Sequence, residues 1–290
     1  MKKDRMETAP KELINELQRL SAMVQVQKII DGGEFENYDK AEGLIREALQ
    51  VGVVEEGMAD VFSNLDEVLN EDYRHPIPIG IPGIDRLLKG GLAKGEIGVV
   101  LAPTGVGKST MLTKIANHAF NLGYNVLQIF FEDNPKIIQR KHITLWTKIH
   151  PDELSIKKDD VLKKVKDIKE TMSNKLVLQK YPSDTMTMLQ IKNVIRKMVA
   201  DGTKIDLVLL DYIDCVVPDK NLGDEWKSEG SVMRAFEAMC HELNLVGWTA
   251  TQGNRSSTSV EVVKTENMGG SLKKAQIAHF IMSIGKTLEQ

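Results

Sequence analysis

Apolar positions recur at two different spacings along this chain, and the change falls close to residue 76. Residues 10 to 70 carry three patterns with apolar side chains at i, i+3, i+4 and i+7, which is typical of amphipathic helices. Two prolines within Glu71–Gly80 then force extended backbone. We therefore predict a small helical segment over 1–75 and a different kind of domain over 76–290.

Short apolar runs alternate with helical patterns in the second part. The predicted strands lie near 97–102, 125–131, 176–180, 206–211, 245–250 and 279–284. The predicted helices lie at 108–121, 134–149, 186–200 and 225–243, and the Lys157–Lys175 stretch has the charge pattern of a solvated surface helix. This alternation predicts an α/β fold with a mainly parallel sheet flanked by helices, with ligand chemistry at the carboxyl ends of the strands.

The run from Ala102 to Thr110 matches the phosphate-binding loop of nucleoside triphosphatases, with Ala102 in place of the usual first glycine. Glycines at 105 and 107 let consecutive backbone amides converge on phosphate oxygens. Lys108 supplies a charge for the phosphates and Ser109 a hydroxyl for Mg²⁺. The candidate residues for binding ATP are Ala102, Pro103, Thr104, Gly105, Val106, Gly107, Lys108, Ser109 and Thr110.

Carboxylates end two of the predicted strands, where phosphate chemistry needs them. Asp211 is placed to reach Mg²⁺ beside Ser109, whereas Asp206 and Asp214 fit a strand start and a turn. Of the adjacent pair Glu132 and Asp133, Glu132 is the better candidate for the general base, and Asp133 could instead cap the helix that follows. Gln252 ends another strand, where it could sense the γ-phosphate or simply close the strand in a polar loop.

Composition narrows the class of protein. A net charge of −3 and an isoelectric point near 6.1 exclude nucleic-acid binding through a uniformly basic surface, so any such contact must be local. The two cysteines, Cys215 and Cys240, lie in apolar surroundings, and we interpret them as core thiols. With no membrane-length apolar run and no signal-peptide pattern, we expect a cytoplasmic protein without a membrane partner.

Several segments together resemble the RecA superfamily, and specifically the DnaB-like replicative helicases. They are Ile79–Leu92, the phosphate loop, Leu210–Ile213 and Thr251–Ser256, of which the last two are the more specific. The resemblance covers roughly residues 76 to 285. It implies a RecA-like motor that uses ATP and Mg²⁺, forms a ring that is usually hexameric, threads single-stranded DNA, and works with a primase or loader. The compact arrangement fits a viral member, which would act in the host cytoplasm.

The same resemblance assigns further roles. In these helicases the catalytic glutamate ends the strand after the phosphate loop, which supports Glu132, and a helical linker packs on the adjacent subunit, a part that residues 10 to 70 could fill. Loops facing the channel hold the DNA. The corresponding candidates here are Arg255, Lys264, Asn267, Gly269, Gly270, Lys273 and Lys274. The alternative is a surface loop without a DNA role.

Two departures from the helicase pattern leave other functions open. His279 stands where these helicases have an aspartate, and the family's trans-acting Lys-x-Arg finger would follow one more strand beyond Gln290. If the chain is complete, lacking the final strands, we expect weak hydrolysis or dependence on a partner's arginine; if it is a fragment, another strand pair follows. A RecA- or Rad51-like recombinase and a KaiC-like accessory ATPase remain the alternatives.

Overall fold

The computed structural model describes residues 11–32, 41, 44–45, 48, 61–62, 65–69, 74–219, 225–253 and 272–285. The chain divides into two compact units, Met1–Tyr73 and Arg74–Gln290. In the first unit, helix α1 spans Lys11–Asp31 and a single turn, α2, spans Leu65–Val68. The second of the three helical patterns predicted for this unit lies mostly outside the described residues.

The second unit alternates strands and helices as the sequence predicts. Its strands are β1 (Ile97–Ala102), β2 (Val126–Phe130), β3 (Leu176–Lys180), β4 (Leu207–Asp211), β5 (Val246–Gln252) and β6 (Phe280–Ser283). Its helices are α3 (Pro82–Leu87), α4 (Lys108–Asn121), α5 (Pro135–Thr147), α6 (Lys158–Thr171), α7 (Met188–Ala200), α8 (Glu225–Glu242) and α9 (Leu272–Ile277). Within the described residues, none of the helices is long and apolar enough to span a membrane.

The six strands form one parallel sheet in the order β3-β2-β4-β5-β1-β6. Every residue of β1, β2 and β4 is buried, because helices cover both faces of the sheet. Alternate residues accordingly join two apolar clusters: Val99 and Leu101 belong to one, and Val100 belongs to the other. The predicted α/β fold with its parallel sheet is confirmed.

Close packing of the central strands depends on one glycine. Gly98 of β1 pairs in register with Trp248 of β5, whose side chain is fully buried. A Cβ added at Gly98 would lie 2.7 Å from the Trp248 ring. The absence of a side chain at Gly98 therefore lets the largest residue of the core lie against β1.

The strand register brings the carboxyl ends of the four central strands to one edge of the sheet, where β1 and β5 extend two residues beyond β2 and β4. Ala102 at the end of β1 pairs with Gln252 at the end of β5, and Phe130 at the end of β2 pairs with Asp211 at the end of β4. Because the strands are parallel, the loops that follow them leave from a single edge of the sheet. Residues far apart in sequence are thereby held together at this edge.

Candidate functional site

The phosphate loop connects β1 to α4 through two glycines in left-handed backbone conformations. Gly105 has φ 79° and Gly107 has φ 106°, values that L side chains rarely adopt. A Cβ at either position would meet no atom within 4 Å, so the dihedral angles rather than crowding require glycine. The loop leads directly into the first turn of α4, whose amides have no partner within the helix. Such a helix start can bind an anion.

Lys108, the first residue of α4, points back across the loop. Its Nζ lies 3.5 Å from the carbonyl oxygens of Ala102 and Pro103, and its side chain is only 8% exposed. Burial lowers the pKa of Lys108, although the carboxylates of Asp211 and Glu132 oppose that shift. The ammonium is therefore poorly solvated, and an anionic ligand would relieve that cost.

Asp211 and Ser109 form a pair of oxygen donors beside the loop. Burial raises the pKa of Asp211, which is 5% exposed, while a hydrogen bond from Ser109 and the charge of Lys108 lower it. A hydroxyl and a carboxylate match the few protein ligands that Mg²⁺ takes when substrate phosphates complete its shell. Within the described residues, no group of three or more His, Cys, Asp or Glu side chains could hold a metal by itself. The pair thus fits a Mg²⁺ that is shared with a nucleotide.

Glu132 and Asp133, which follow β2, occupy different surroundings. The Asp133 carboxylate pairs with Lys141 of α5 at 2.9 Å, whereas the Glu132 side chain is exposed at the sheet edge. Lys180 donates to the backbone carbonyls of both residues, at 2.7 and 2.9 Å, and so anchors the main chain under the exposed carboxylate. Glu132 is therefore the carboxylate presented to the phosphate-loop side.

Asn134, rather than Asp133, caps helix α5. The Asn134 side chain accepts a hydrogen bond from Lys136 N at 2.9 Å, and Pro135 occupies the first helical position. The interpretation of Asp133 as the cap was wrong by one residue. The reason is geometric, because the capping side chain has to lie immediately before the first helical residue, and Asp133 is already engaged by Lys141.

Tyr212 connects the groups assigned to catalysis, and sequence reasoning gave it no role in the site. Its hydroxyl donates to Glu132 Oε1 at 3.3 Å and accepts from Gln252 Nε2 at 2.9 Å. Its ring centroid lies 5.6 Å from Lys108 Nζ. Its position directly after Asp211, at the carboxyl end of a central strand, was the available signal.

Asp214, expected only in a turn, joins three elements. Its carboxylate accepts from the Thr251 hydroxyl at 3.0 and 3.2 Å and from Gln252 N at 3.2 Å. Lys274 of α9 also donates to it, in an ion pair. Because Lys274 is only 2% exposed, its burial favours this structural role over the DNA contact that the sequence suggested.

Six other residues were predicted to bind DNA. Arg255, Lys264, Asn267, Gly269 and Gly270 lie outside the described residues. Lys273 belongs to α9, whose backbone is described, but its side chain is not. Their role in DNA binding stays a prediction.

His279 lies at the opposite edge of the sheet from the phosphate loop. Its Nδ1 accepts a hydrogen bond from Ile97 N at 3.2 Å, and its own N donates to Ile97 O at 3.0 Å. The residue therefore fastens the start of β6 to the start of β1. Where the helicase pattern has an aspartate, this chain thus has a residue that contacts β1 away from the candidate site.

A cavity of about 410 Å³ opens between α4 and α5 beside the phosphate loop. Its lining residues are Thr110, Thr113, Ile137, Arg140, Lys141, Thr144, Leu145 and Pro151. Within the described residues, the buried Thr144 Oγ1 has no hydrogen-bond partner. A mostly apolar cleft with a few polar groups suits a small planar ligand.

This chain is similar in sequence to two kinds of curated protein. DNA repair protein RadA of Rickettsia conorii is 26% identical over 164 residues, which cover 57% of this chain and 30% of RadA. The DnaB-like replicative helicase of Enterobacteria phage T4 is 21% identical over 268 residues, covering 85% of this chain and 54% of that protein. The chain thus spans about a third to a half of the length of these curated relatives.

Solved structures share the fold. A DnaB-like replicative helicase, described with its interactions with primase, superposes with a TM-score of 0.64 at 16% identity, over 94% of this chain and 67% of that one. A second solved structure, an ATPase domain, gives a TM-score of 0.61 at 17% identity, over 84% of this chain and 82% of that one. The sequence pattern described as "DnaB-like helicase C terminal domain" matches residues 76–267. This chain therefore belongs to the family of DnaB-like helicase C-terminal domains.

Proposed function

We propose that this chain is the motor of a ring-forming helicase, which hydrolyses ATP to translocate on single-stranded DNA during replication. The observation that carries the proposal is the convergence of a phosphate loop, an oxygen-donor pair and an exposed carboxylate at one sheet edge, in a chain of the DnaB-like family. The relatives named for replication are longer than this chain, so their replicative activity is part of the proposal.

The residues divide the chemistry of ATP hydrolysis among them. The phosphate-loop amides and Lys108 bind the β- and γ-phosphates, and Ser109 and Asp211 hold Mg²⁺, which would neutralise phosphate charge. Glu132 accepts the proton of the attacking water, because it is the exposed carboxylate at this edge. Gln252, paired in register with Ala102, senses the γ-phosphate.

The cavity beside Thr110 takes the nucleotide base in this proposal. It begins one residue after Ser109, and its apolar lining matches the faces of a purine.

Helix α1 supports assembly into a ring. Leu20, Met23, Val24 and Ile30 are exposed and recur at roughly helical spacing, which leaves an apolar stripe along the helix. We assign this stripe to contact with an adjacent subunit. The proposal includes a hexameric ring, with a primase or loader as a further partner, which membership of this family supports.

A DNA-repair ATPase is the second candidate, because the RadA proteins are the relatives of higher identity. The assembly formed with a non-hydrolysable ATP analogue and single-stranded DNA separates the motor from a filament-forming recombinase. Closed rings in particle images, together with strand separation of a forked duplex, would support the helicase. Open filaments without strand separation would support the recombination-type function and overturn our first choice.

A further inference from the structure

Tyr212 stands between Glu132, the proposed general base, and Gln252, the proposed γ-phosphate sensor. Its hydroxyl donates to Glu132 Oε1 and accepts from Gln252 Nε2, so one oxygen bridges the two side chains. Glu132 follows β2, Tyr212 follows β4 and Gln252 ends β5, and the bridge therefore spans three neighbouring strands.

The direction of these hydrogen bonds is set by chemistry. A phenol has one proton and a carboxylate oxygen accepts it, which leaves the hydroxyl oxygen to accept from the amide of Gln252. Burial, followed by the neighbouring Cys215 and Glu132, raises the pKa of Tyr212, so the hydroxyl stays a donor at neutral pH.

The hydrogen bond from Tyr212 is the main contact that orients the Glu132 carboxylate. Lys180 holds the backbone carbonyl, but among the described residues only the Tyr212 hydroxyl hydrogen bonds to the carboxylate itself. A hydroxyl that accepts a hydrogen bond becomes a stronger donor, because the two bonds polarise one another. A change in the position of the Gln252 amide therefore changes the strength of the hydrogen bond to Glu132, through the Tyr212 hydroxyl alone.

We propose that Tyr212 is a positioning residue that couples Glu132 to Gln252. The Tyr212 hydroxyl orients the Glu132 carboxylate, the general base, only while the Gln252 amide, the γ-phosphate sensor, donates to that hydroxyl. The inference rests on the proposed ATPase function and adds a residue through which the base acts. Tyr212 need not contact the nucleotide, since its effect passes through the Glu132 carboxylate.

A double-mutant cycle on the full chain tests the coupling. Tyr212→Phe keeps the ring over Lys108 and removes only the hydroxyl, whereas Gln252→Ala removes the bond from the other side. We expect Tyr212→Phe to lower kcat by about ten- to a hundredfold, the loss of one hydrogen bond to a charged group, with the KM for ATP changed by less than about twofold. The double variant should fall no more than about threefold below the slower single variant.

Tyr124→Phe is the matched control, because Tyr124 precedes β2 at the opposite edge of the sheet and should leave kcat unchanged. Melting curves identify any variant that fails to fold. If Tyr212→Phe does not fold, Gln252→Ala still tests the coupling, because it removes the hydrogen bond that the Tyr212 hydroxyl accepts. Wild-type turnover in Tyr212→Phe, or losses that multiply in the double variant, would overturn the coupling alone. A wild-type chain that does not hydrolyse ATP would overturn the proposed function together with this inference.

Discussion

Replacing Lys274 by methionine should destabilise the fold without weakening the electrostatic part of DNA binding. Lys274 is 2% exposed and pairs with Asp214, whose side chain is 23% exposed. Methionine has a similar length but no charge, so Asp214 would lose the ion pair and keep its bonds from Thr251 and Gln252 N.

The expected loss of stability in Lys274→Met follows from the burial of the Lys274–Asp214 ion pair. Removing one partner of a fully buried ion pair costs about 3–5 kcal/mol. Because Asp214 reaches solvent and keeps two other donors, we expect about 2–3 kcal/mol, and hence a fall in melting temperature of about 5–10 °C for a domain of this size. The salt dependence of single-stranded DNA binding should not change, since a buried ammonium paired with a carboxylate displaces no counterions from DNA.

Lys273→Met, one residue away, is the matched comparison. If Lys273 contacts a DNA phosphate as predicted, its replacement should flatten the plot of log K against log salt by about 0.7 and leave the melting temperature close to that of the wild type. Melting curves and binding titrations at several salt concentrations would measure both quantities for both variants. A Lys274→Met protein with wild-type stability and a flatter salt slope would refute the structural assignment.

Two further predictions concern Glu132, the proposed catalytic base, and the buried His142. Glu132→Gln should keep nucleotide affinity and lower turnover by about 10²–10⁴-fold, because it removes the proton acceptor; loss of nucleotide binding would mean that Glu132 has another role. Burial lowers the pKa of His142 to about 4. Between about pH 6.5 and pH 4 the unfolded chain therefore binds a proton that the native chain does not, and the unfolding free energy should fall by about 1.4 kcal/mol per pH unit as the pH falls. Urea titrations across that range should show this slope in the wild type and a flatter one in His142→Gln, and equal slopes would contradict the assignment.

The strands could be predicted from the sequence to within one or two residues, because they are short, mainly apolar segments between polar turns. The predicted run 125–131 became Val126–Phe130, and 206–211 became Leu207–Asp211. The ends of these strands also located Glu132 and Asp211, since parallel strands bring their carboxyl ends to one edge. Fold and phosphate loop therefore followed from local pattern.

The contacts of Lys274 and Tyr212 could not be predicted in this way. Lys274 stands near a glycine-rich stretch that suits DNA phosphates, and only the fold brings it to Asp214, sixty positions earlier in the chain. Tyr212 was visible as part of a family-like segment, but its partners come from the loop after β2 and from the end of β5, which no local spacing connects. Burial and pairing across strands are properties of the tertiary structure.

The rate of ATP hydrolysis by the full chain, measured with and without single-stranded DNA, tests the central claim most directly. We predict that DNA raises the rate in the wild type and that Lys108→Ala abolishes hydrolysis in both conditions, because Lys108 is the buried cation of the phosphate loop. Hydrolysis that is indifferent to DNA, or that survives the loss of Lys108, would contradict the account.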